Sequence, residues 1–384
     1  MRRIVFVINN RANYARIKSC IRESYKRSDL DVKIVVGASG LLYRFGNVSN
    51  IIQKDGFEID EKIYTVVEGD DPVTMVKTTA LSLLSLADIF HKLKPAIVLT
   101  VADRYETIAT AIASTYMNIP LAHTQGGEIT GSIDDSVRHA ISKLAHLHFP
   151  ATKKAAWVLE KLGEDPKNIF WVGCPSIDLA KEAEFEPMQR IISRYSGVGS
   201  RLDFSKPFVL VSQHSDTLDY MSARNQVEQT LMAIKNLGIQ TVWLWPNVDS
   251  GSDSISKRLR EFKEQEHEFK IHFYRNFQPD DYINLLRQAH CIVGNSSSGI
   301  REASFLGRPA VNIGNRQEGR EKAMNVIDVP YDNLKIAEAI KTQLSRGAYN
   351  PDNTYGEGDA GRKMAEILAT HDLTLNKRKM IIEE

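Results

Sequence analysis

The residues best suited to acid–base chemistry are concentrated between Asp103 and His139. This stretch holds five carboxylates, two histidines and two arginines, namely Asp103, Glu106, Glu128, Asp134, Asp135, His123, His139, Arg104 and Arg138. Most of them follow a predicted strand or open a helix, and open α/β sheets bind ligands where their strands end. A second interpretation is structural: Asp134 and Asp135 cap a helix, and Arg138 pairs with Asp134 one turn earlier.

A second group of candidates surrounds the loop Gly294-Asn-Ser-Ser-Ser-Gly299. The loop lies between an apolar strand and a predicted helix, so backbone N–H groups and the hydroxyls of Ser296 and Ser297 could hold a diphosphate. A cluster of N-cap residues that binds nothing would have the same composition. Glu302, in the first helical turn, could accept hydrogen bonds from ribose hydroxyls or only complement the helix dipole.

Further polar residues follow other predicted strands. Arg11 comes directly after the first strand, His214 follows the strand that opens the second half, and Arg316 and Arg320 follow a later one. Arginines at these places could neutralise phosphate, and the histidine could act as an acid or base. Surface charges and a structural histidine are the alternatives.

Strand-like and helical segments alternate in both halves of the chain, which predicts an α/β fold. Strands are expected at 4–8, 32–36, 96–101, 121–122, 169–172, 208–211, 241–245, 271–274, 291–293 and 310–313. Positions 181–206 are charged and lack a strand pattern, so they are expected to form a linker. We expect two doubly wound domains that face each other across a cleft, at 1–180 and 205–360, with a C-terminal helix at about 361–384 joining the first.

Composition narrows the functional classes. The 384 residues are 42% hydrophobic and 25% charged, with a net charge of +1, which argues against a dedicated nucleic-acid binder. Three distant cysteines indicate neither a disulfide framework nor a zinc site. No stretch approaches the roughly 18 apolar residues of a membrane span. The first apolar run is too short for a signal sequence, so the expectation is a cytoplasmic protein.

Together these motifs resemble the UDP-N-acetylglucosamine 2-epimerase family, and most closely its hydrolysing branch. The motifs are Arg11-Ala-Asn-Tyr14, Asp103-Arg-Tyr-Glu106, GGEITGSIDDSVRHAISKLAH from Gly126, Pro246-Asn-Val-Asp-Ser-Gly251, GNSSSGIRE from Gly294 and NIGNRQEGRE from Asn312. The resemblance implies two Rossmann-like domains in the arrangement called GT-B. It also implies a UDP-sugar substrate, no metal or cofactor, and a homodimer or homotetramer.

The same resemblance assigns expected roles. UDP would be held by Arg11, Ser296, Ser297, Glu302 and Arg316, with Arg104 grouped among the substrate-binding residues. The reacting site would comprise Asp103, Glu128, Asp134, Asp135, Arg138 and His214. Asn247 and Asp249 would line the cleft.

Three positions depart from the family pattern. Asn13 replaces a frequent aspartate, and Ala15 replaces a serine that contacts the nucleotide in relatives. Gln125 stands where several relatives have a glutamate with an acid–base role, and an amide cannot carry a proton at neutral pH. Any such role here must move, and Glu128 and Asp134 are the nearest substitutes.

The sequence therefore predicts a hydrolysing 2-epimerase that releases UDP and N-acetylmannosamine from UDP-N-acetylglucosamine. The dense carboxylate cluster from 128 to 135 favours elimination of UDP over transfer of the sugar to an acceptor. A UDP-2,4-diacetamido-2,4,6-trideoxy sugar is an alternative substrate. A non-hydrolysing epimerase, a glycosyltransferase and a nucleotide-sugar sensor are alternative functions.

Overall fold

The chain forms two α/β units, each built on its own sheet. A computed structural model describes residues 1–43, 46–69, 71–247, 249–265 and 269–373. The first unit consists of Met1–Ile129, Ile133–Leu179 and the described part of 355–384. The second consists of Thr130–Ser132 and Ala180–Thr354.

The sheet of the first unit has six parallel strands in the order β3-β2-β1-β4-β5-β6. They are β1 (Arg2–Ile8), β2 (Leu30–Gly37), β3 (Glu61–Ile63), β4 (Ile97–Val101), β5 (Leu121–Thr124) and β6 (Leu147–Phe149). Apolar runs such as Ile4 to Ile8 form strands buried on both faces, as expected of a parallel sheet covered by helices. The strand order reverses between β1 and β4, so the loops that follow these two strands are neighbours.

Within the described residues, eight α-helices connect or follow these strands. They are α1 (Arg11–Ala15), α2 (Lys18–Tyr25), α3 (Val48–Lys54), α4 (Pro72–Leu93), α5 (Thr107–Tyr116), α6 (Asp134–Leu144), α7 (Lys153–Lys161) and α8 (Pro175–Glu182). Asp71 is the N-cap of α4, and its side chain accepts from the N–H of Thr74. Pro72 is the first residue of the helix.

The second unit has a seven-stranded sheet in the order β13-β12-β11-β8-β9-β10-β7. Its strands are β7 (Gly197–Gly199), β8 (Val209–Ser212), β9 (Thr241–Leu244), β10 (Ile271–Tyr274), β11 (Cys291–Gly294), β12 (Ala310–Ile313) and β13 (Val326–Val329). All pairs are parallel except β7 with β10. The order reverses between β8 and β11, which places the loop after each strand next to the other.

Its helices are α9 (Met188–Ile192), α10 (Ala223–Leu237), α11 (Ser252–Gln265), α12 (Pro279–Gln288), α13 (Glu302–Phe305) and α14 (Asn333–Arg346). A buried cluster that includes Trp243, Val211 and Ile340 packs one face of the sheet against α10, α11 and α14. The two units therefore confirm the predicted α/β class, with two doubly wound Rossmann-like sheets.

The last described helix, α15 (Ala360–Thr370), packs against α2 in the first unit. Asp178 accepts from the N–H groups of Ala360 and Gly361 at 3.0 and 2.7 Å, and its Oδ2 also accepts from the hydroxyl of Ser19 at 2.7 Å. A Cβ on Gly361 would lie 2.4 Å from the Ser19 hydroxyl oxygen, so this crossing requires glycine. The part of the predicted C-terminal helix at 374–384 lies outside the described residues.

The predicted strand at 169–172 is wrong, and the sequence prediction lacks strands β3, β6, β7 and β13. Ile169 forms only an isolated parallel bridge with His148, so 169–172 is not a strand. Conversely, the expected linker at 181–206 contains β7, whose Gly-Val-Gly sequence has no apolar alternation. The backbone of β7 lies so close to that of β10 that a side chain would not fit: a Cβ on Gly199 would lie 2.3 Å from the carbonyl oxygen of Ile271.

Helix α4 also departs from the sequence expectation about membrane spans. The helix Pro72–Leu93 is long and apolar enough to cross a membrane, by length and composition alone. In the structure it is the connection from β3 to β4, and Leu86, Ile89 and Phe90 are buried in the core of the first unit. Its inner face is thus part of the α/β fold.

Candidate active site

A buried arginine organises the acidic residues of the first unit. Arg138 lies in α6 with no exposed surface, and its guanidinium forms ion pairs with Asp103, which follows β4, and with Asp135. The Arg138 Nε–Asp103 Oδ2 distance is 3.0 Å, and Nη1 donates to the backbone oxygen of Glu128 at 2.7 Å. The loop after β4, the loop at Glu128 and the first turn of α6 are therefore fixed around one positive charge.

The buried positive charge of Arg138 is compensated by the negative charges of nearby carboxylates. Burial alone would lower the pKa of Arg138, but the carboxylates of Asp103, Glu128 and Asp135 outweigh burial and raise that pKa above its usual range. The arginine is permanently charged. It can hold carboxylates in place around a substrate, but it cannot itself donate a proton.

The helix-capping interpretation of the acidic pair is wrong in its details. The residue preceding α6 is Ile133, so neither Asp134 nor Asp135 is the N-cap. Both lie in the first turn, where negative charge is favourable. Arg138 forms an ion pair with Asp135, three residues earlier, and both aspartates are half-buried.

Gly126 and Gly127 allow the loop that carries Glu128 to pack closely against neighbouring helices. A Cβ on Gly127 would lie 2.1 Å from the carbonyl oxygen of Ala155, and Gly127 has a φ of 79°. A Cβ on Gly126 would lie 2.8 Å from the hydroxyl of Ser142. The Gly-Gly pair therefore lets the loop that carries Glu128 press against α6 and α7.

His123 lies inside β5, not after it, and is fully buried. Its Nε2 lies 2.8 Å from the backbone oxygen of Ala102, and its Nδ1 lies 3.1 Å from the hydroxyl of Ser142. Burial lowers the pKa of His123 to about 3, so the ring is neutral and donates to the Ala102 carbonyl. His123 thereby supports the turn, with a φ of 58° at Ala102, that leads to Asp103.

Gln125 is engaged with the protein. It is 1% exposed, has a φ of 61°, and its Nε2 donates to the thiol sulfur of Cys174 at 3.5 Å. That sulfur lies 3.1 Å from the hydroxyl of Ser176. The amide thus belongs to a buried polar contact between the end of β5 and the start of α8, which is a positioning role.

The loop after β1 is tied to the loop after β4. Asn10 and Arg104 both donate to Oε1 of Glu106, at 3.2 and 3.0 Å, and Glu106 is 1% exposed. Arg11, the first residue of α1, is half-buried beside this group. Asn13 is buried, accepts from the N–H of Asn9 at 3.2 Å and donates to Val101 O at 3.5 Å. An aspartate could not make the second bond, so asparagine here has a structural reason.

Asn295 organises the candidate residues of the second unit, and the sequence prediction missed it. Its side chain accepts from the N–H of His214 at 2.7 Å and donates to the His214 carbonyl at 2.8 Å. Its backbone oxygen accepts from Arg316 at 3.1 Å and from Gln317 at 3.0 Å. Asn295 therefore joins the loops after β8, β11 and β12. Its place directly after an apolar strand was the available signal.

The serines differ in their surroundings. Ser298 is 7% exposed and is bonded to the hydroxyl of Tyr282, whereas Ser296 and Ser297 are half-buried. A 3₁₀ turn spans Ser297–Gly299, and α13 has only four residues, so the helix predicted after the Gly294–Gly299 loop is short. Glu302 is its first residue and is 8% exposed.

His214 faces the loop after β9. Its Nδ1 accepts from the N–H of Asn247 at 3.2 Å, which leaves Nε2 to carry the proton of a neutral ring. Asn247 is exposed. Asp249 leads into α11, and its N–H donates to the hydroxyl of Ser252 at 2.9 Å. The second unit thus gathers His214, Asn247, Ser296 and Arg316 at the carboxyl edge of its sheet.

Comparison with known proteins gives this arrangement a context. The sequence model of the UDP-N-acetylglucosamine 2-epimerase family matches residues 22–369. A UDP-N,N'-diacetylbacillosamine 2-epimerase (hydrolyzing) of Legionella pneumophila is 31% identical over 380 residues, which cover 98% of this chain and 99% of the relative. A GDP/UDP-N,N'-diacetylbacillosamine 2-epimerase (hydrolyzing) of Campylobacter jejuni is 31% identical over 338 residues, 88% of this chain and 86% of the relative.

The fold has a counterpart among solved structures. A UDP-GlcNAc 2-epimerase of Methanocaldococcus jannaschii, in complex with UDP-GlcNAc and UDP, superposes with a TM-score of 0.80. It is 18% identical, and the match covers 95% of this chain and 99% of that one. The family model and the two relatives span nearly the whole chain, both α/β units included. The protein is a member of the UDP-N-acetylglucosamine 2-epimerase family.

Proposed function

We propose that the protein is a hydrolysing 2-epimerase of a UDP-linked 2-acetamido sugar. The supporting observation is the group of Asp103, Glu128 and Asp135 around the buried Arg138. Removing a proton from one face of a sugar carbon and returning one to the other requires more than one carboxylate. Both relatives at 31% identity have names that specify hydrolysis.

The first step in this proposal is elimination of UDP. The C2 proton of the sugar is barely acidic, so cleavage of the C1–O bond leads, and UDP departs with the electron pair. The ring then carries oxocarbenium-like positive charge, which nearby carboxylates stabilise. A carboxylate removes the C2 proton, and a glycal forms. We assign Asp103 and Glu128 to the two sides of C2.

The second step is hydration of the glycal. A water molecule adds its oxygen to C1 and passes one proton to a carboxylate, while a second carboxyl group delivers a proton to C2 on the opposite face, which inverts that carbon and gives the free sugar. We assign Asp134 or Asp135 to the water and the sugar hydroxyls. The permanent positive charge of Arg138 holds the carboxylates in position through both steps.

We assign the nucleotide to the polar edge of the second unit, with Arg11 and Arg104 as further binding residues. The hydroxyls of Ser296 and Ser297 and the guanidinium of Arg316 suit a diphosphate, and Glu302 suits the ribose hydroxyls. Helix α13 is too short for a large dipole, so hydroxyl and backbone donors carry most of the binding. His214 assists at the diphosphate or in proton transfer, and Asn247 and Asp249 line the site.

Two sugars are candidates for the substrate. The names of the two relatives favour a UDP-2,4-diacetamido-2,4,6-trideoxy sugar, N,N'-diacetylbacillosamine. The family name favours UDP-N-acetylglucosamine. The two sugars differ at C4 and C6, so the choice depends on residues that contact those substituents. We place the diacetamido sugar first because both 31% relatives carry that name.

A proton NMR time course in D2O with each UDP-sugar tests the proposal. Free UDP together with a 2-epimerised sugar deuterated at C2 is the expected result. A 2-epimer still attached to UDP would assign the protein to the non-hydrolysing branch. Sugar transfer to an added acceptor would indicate a glycosyltransferase, and UDP binding without turnover of either sugar would indicate a sensor. GDP added as a competitor would identify the base that the site prefers.

Glu128→Gln isolates the acid–base role because it keeps the size of the side chain and leaves the ion pairs of Arg138 with Asp103 and Asp135 in place. Turnover should fall by about 100-fold or more, while UDP binding stays within about threefold. Glu160→Gln, at an exposed position on α7, is the matched control and should retain full turnover. Undiminished turnover of Glu128→Gln would contradict the assignment.

A further inference from the structure

Glu106 is a buried carboxylate to which the proposed mechanism gives no role. It is 1% exposed and directly precedes α5, but within the described residues its side chain makes no capping hydrogen bond to that helix. A buried carboxylate is unfavourable unless it is paired. Glu106 is paired with Arg104, whose side chain is 16% exposed. The contacts of this carboxylate are therefore with neighbouring loop residues and not with the start of α5.

One oxygen of Glu106 receives two hydrogen bonds from two different loops. Oε1 accepts from Nε of Arg104 at 3.0 Å and from Nδ2 of Asn10 at 3.2 Å. Arg104 follows β4 and Asn10 follows β1, and these two strands are paired in the sheet. Asn10 is also the N-cap of α1, because its Oδ1 accepts from the N–H of Asn13 at 2.8 Å, and Arg11 is the first residue of that helix. A single carboxylate oxygen thus connects the side chain of Arg104 with the cap that precedes Arg11.

The backbone around Arg104 is fixed by contacts that do not involve Glu106. The carbonyl of Arg104 accepts from the N–H of Thr107 at 2.8 Å and also from the Thr107 hydroxyl. The carbonyl of Tyr105 accepts from the hydroxyl of Thr79, on α4, at 3.1 Å. The loop after β4 therefore keeps its path when the side chain of Glu106 is shortened, whereas the guanidinium of Arg104 loses a charged acceptor at Nε. Glu106 controls the direction of the arginine side chain.

We propose that Glu106 is a positioning residue that orients Arg104 directly, and Arg11 through Asn10, towards the diphosphate of the UDP-sugar. This inference rests on the proposed function, in which both arginines bind UDP. Negative charge accumulates on the diphosphate as the C1–O bond breaks, so guanidinium groups that are already oriented stabilise the transition state more than the bound substrate. Glu106 acts through the arginines and does not itself contact the reacting atoms.

Calorimetry with UDP and with uridine tests this role without any turnover. Free UDP carries the charge of the departed leaving group, and uridine lacks it. Glu106→Ala should weaken UDP binding by about tenfold and uridine binding by less than about twofold. Glu106→Gln keeps an acceptor oxygen for both bonds, so its UDP affinity should stay within about threefold of the wild type. Equal losses for UDP and uridine, or equal losses in the two variants, would overturn the proposal.

Glu164→Gln is the matched control for the removal of a buried charge. Glu164 is 2% exposed and forms ion pairs with Lys143 and with His148, on β6. The variant should lower the midpoint of thermal unfolding and leave both affinities unchanged, because these partners bind no nucleotide in the proposed function. A loss of UDP affinity in Glu164→Gln as large as that in Glu106→Ala would reduce the effect of Glu106 to general stability and overturn the proposal.

A double-mutant cycle tests whether Glu106 acts through Arg104. Arg104→Ala alone should weaken UDP binding by about tenfold. The double variant that also carries Glu106→Ala should bind UDP within about threefold of Arg104→Ala, because the guanidinium that Glu106 orients is already absent. Losses that multiply to about 100-fold would mean that the two residues contribute independently, which would overturn the proposal.

Turnover separates this inference from the proposed function itself. With the UDP-sugar that the wild type converts, Glu106→Ala should lower kcat by about 100-fold and leave KM within about threefold. An unchanged kcat would overturn the role of Glu106 in the departure of UDP. A wild type that converts neither sugar would refute the proposed function, and the affinities for UDP and uridine would then decide the role of Glu106 by themselves.

Discussion

Acidification should destabilise the first unit through His123. The ring is fully buried, and burial lowers its pKa to about 3 from an ordinary value of 6.5. The unfolded chain takes up a proton below pH 6.5, whereas the folded protein does not until about pH 3. Between these values the unfolded state binds more protons, so stability falls as the pH falls. At pH 5 the expected loss is about 2 kcal/mol, from 1.36 kcal/mol for each pH unit below the unfolded pKa.

The variant His123→Gln separates this contribution from every other titrating group. The glutamine amide can still donate to the Ala102 carbonyl, but it does not titrate. Urea unfolding followed by circular dichroism at pH 7 and pH 5 gives the free energy of unfolding for both proteins. The wild type should lose about 2 kcal/mol more than the variant between the two pH values. Hydrogen exchange of peptides from β4 and β5 locates the effect.

Equal pH dependence in the two proteins would refute this account. It would mean that His123 is protonated in the folded state, or that water reaches the ring. If His123 is protonated, its charged ring would still donate from Nε2 to the Ala102 carbonyl. A loss of protection from hydrogen exchange that is confined to peptides of the second unit would contradict the location of the effect.

Three further predictions concern residues that shape the site. Gly127→Ala should lower the free energy of unfolding by about 3 kcal/mol or more in denaturant titrations, because its methyl group would overlap the Ala155 carbonyl at a positive φ. Asn295→Ala should weaken UDP binding by about tenfold in calorimetry and cost about 2 kcal/mol of stability, since buried polar groups lose their partners. Gln125→Glu should reduce thermal stability without raising turnover, because it buries a carboxylate against the Cys174 sulfur.

The repeating order of strand and helix was predictable because apolar runs and the helical period are local signals. The α/β class and most strands followed from them. What failed was structure that depends on backbone contacts. Strand β7 contains only Gly-Val-Gly and exists because its backbone pairs with β10. The apolar run at 169–172 has strand character but makes only one bridge. The side-chain pattern alone predicts neither the pairing of β7 nor the absence of a strand at 169–172.

The site was predictable in its residue types and less so in its connections. The sequence predicted that Asp103 and Arg316 follow strands, and the structure places them after β4 and β12. The sequence could not show that Arg138 would pair with Asp103, because that contact joins α6 to the loop after β4. It also presented Asn295 as one member of a serine-rich loop. The importance of Asn295 lies in four hydrogen bonds to residues far away in sequence.

The surroundings of Gln125 explain how the chain accommodates its departure from the family pattern. Gln125 is 1% exposed, and its side-chain amide is turned towards Cys174. A carboxylate in that contact would have at most the weak S–H donor of Cys174 and would be buried without a compensating cation. Arg138 provides that compensation elsewhere, beside Asp103 and Asp135 and close to Glu128. The buried positive charge of Arg138 therefore favours acidic groups beside it, which is why the proposed mechanism assigns proton transfer to residues around Arg138 and not to position 125.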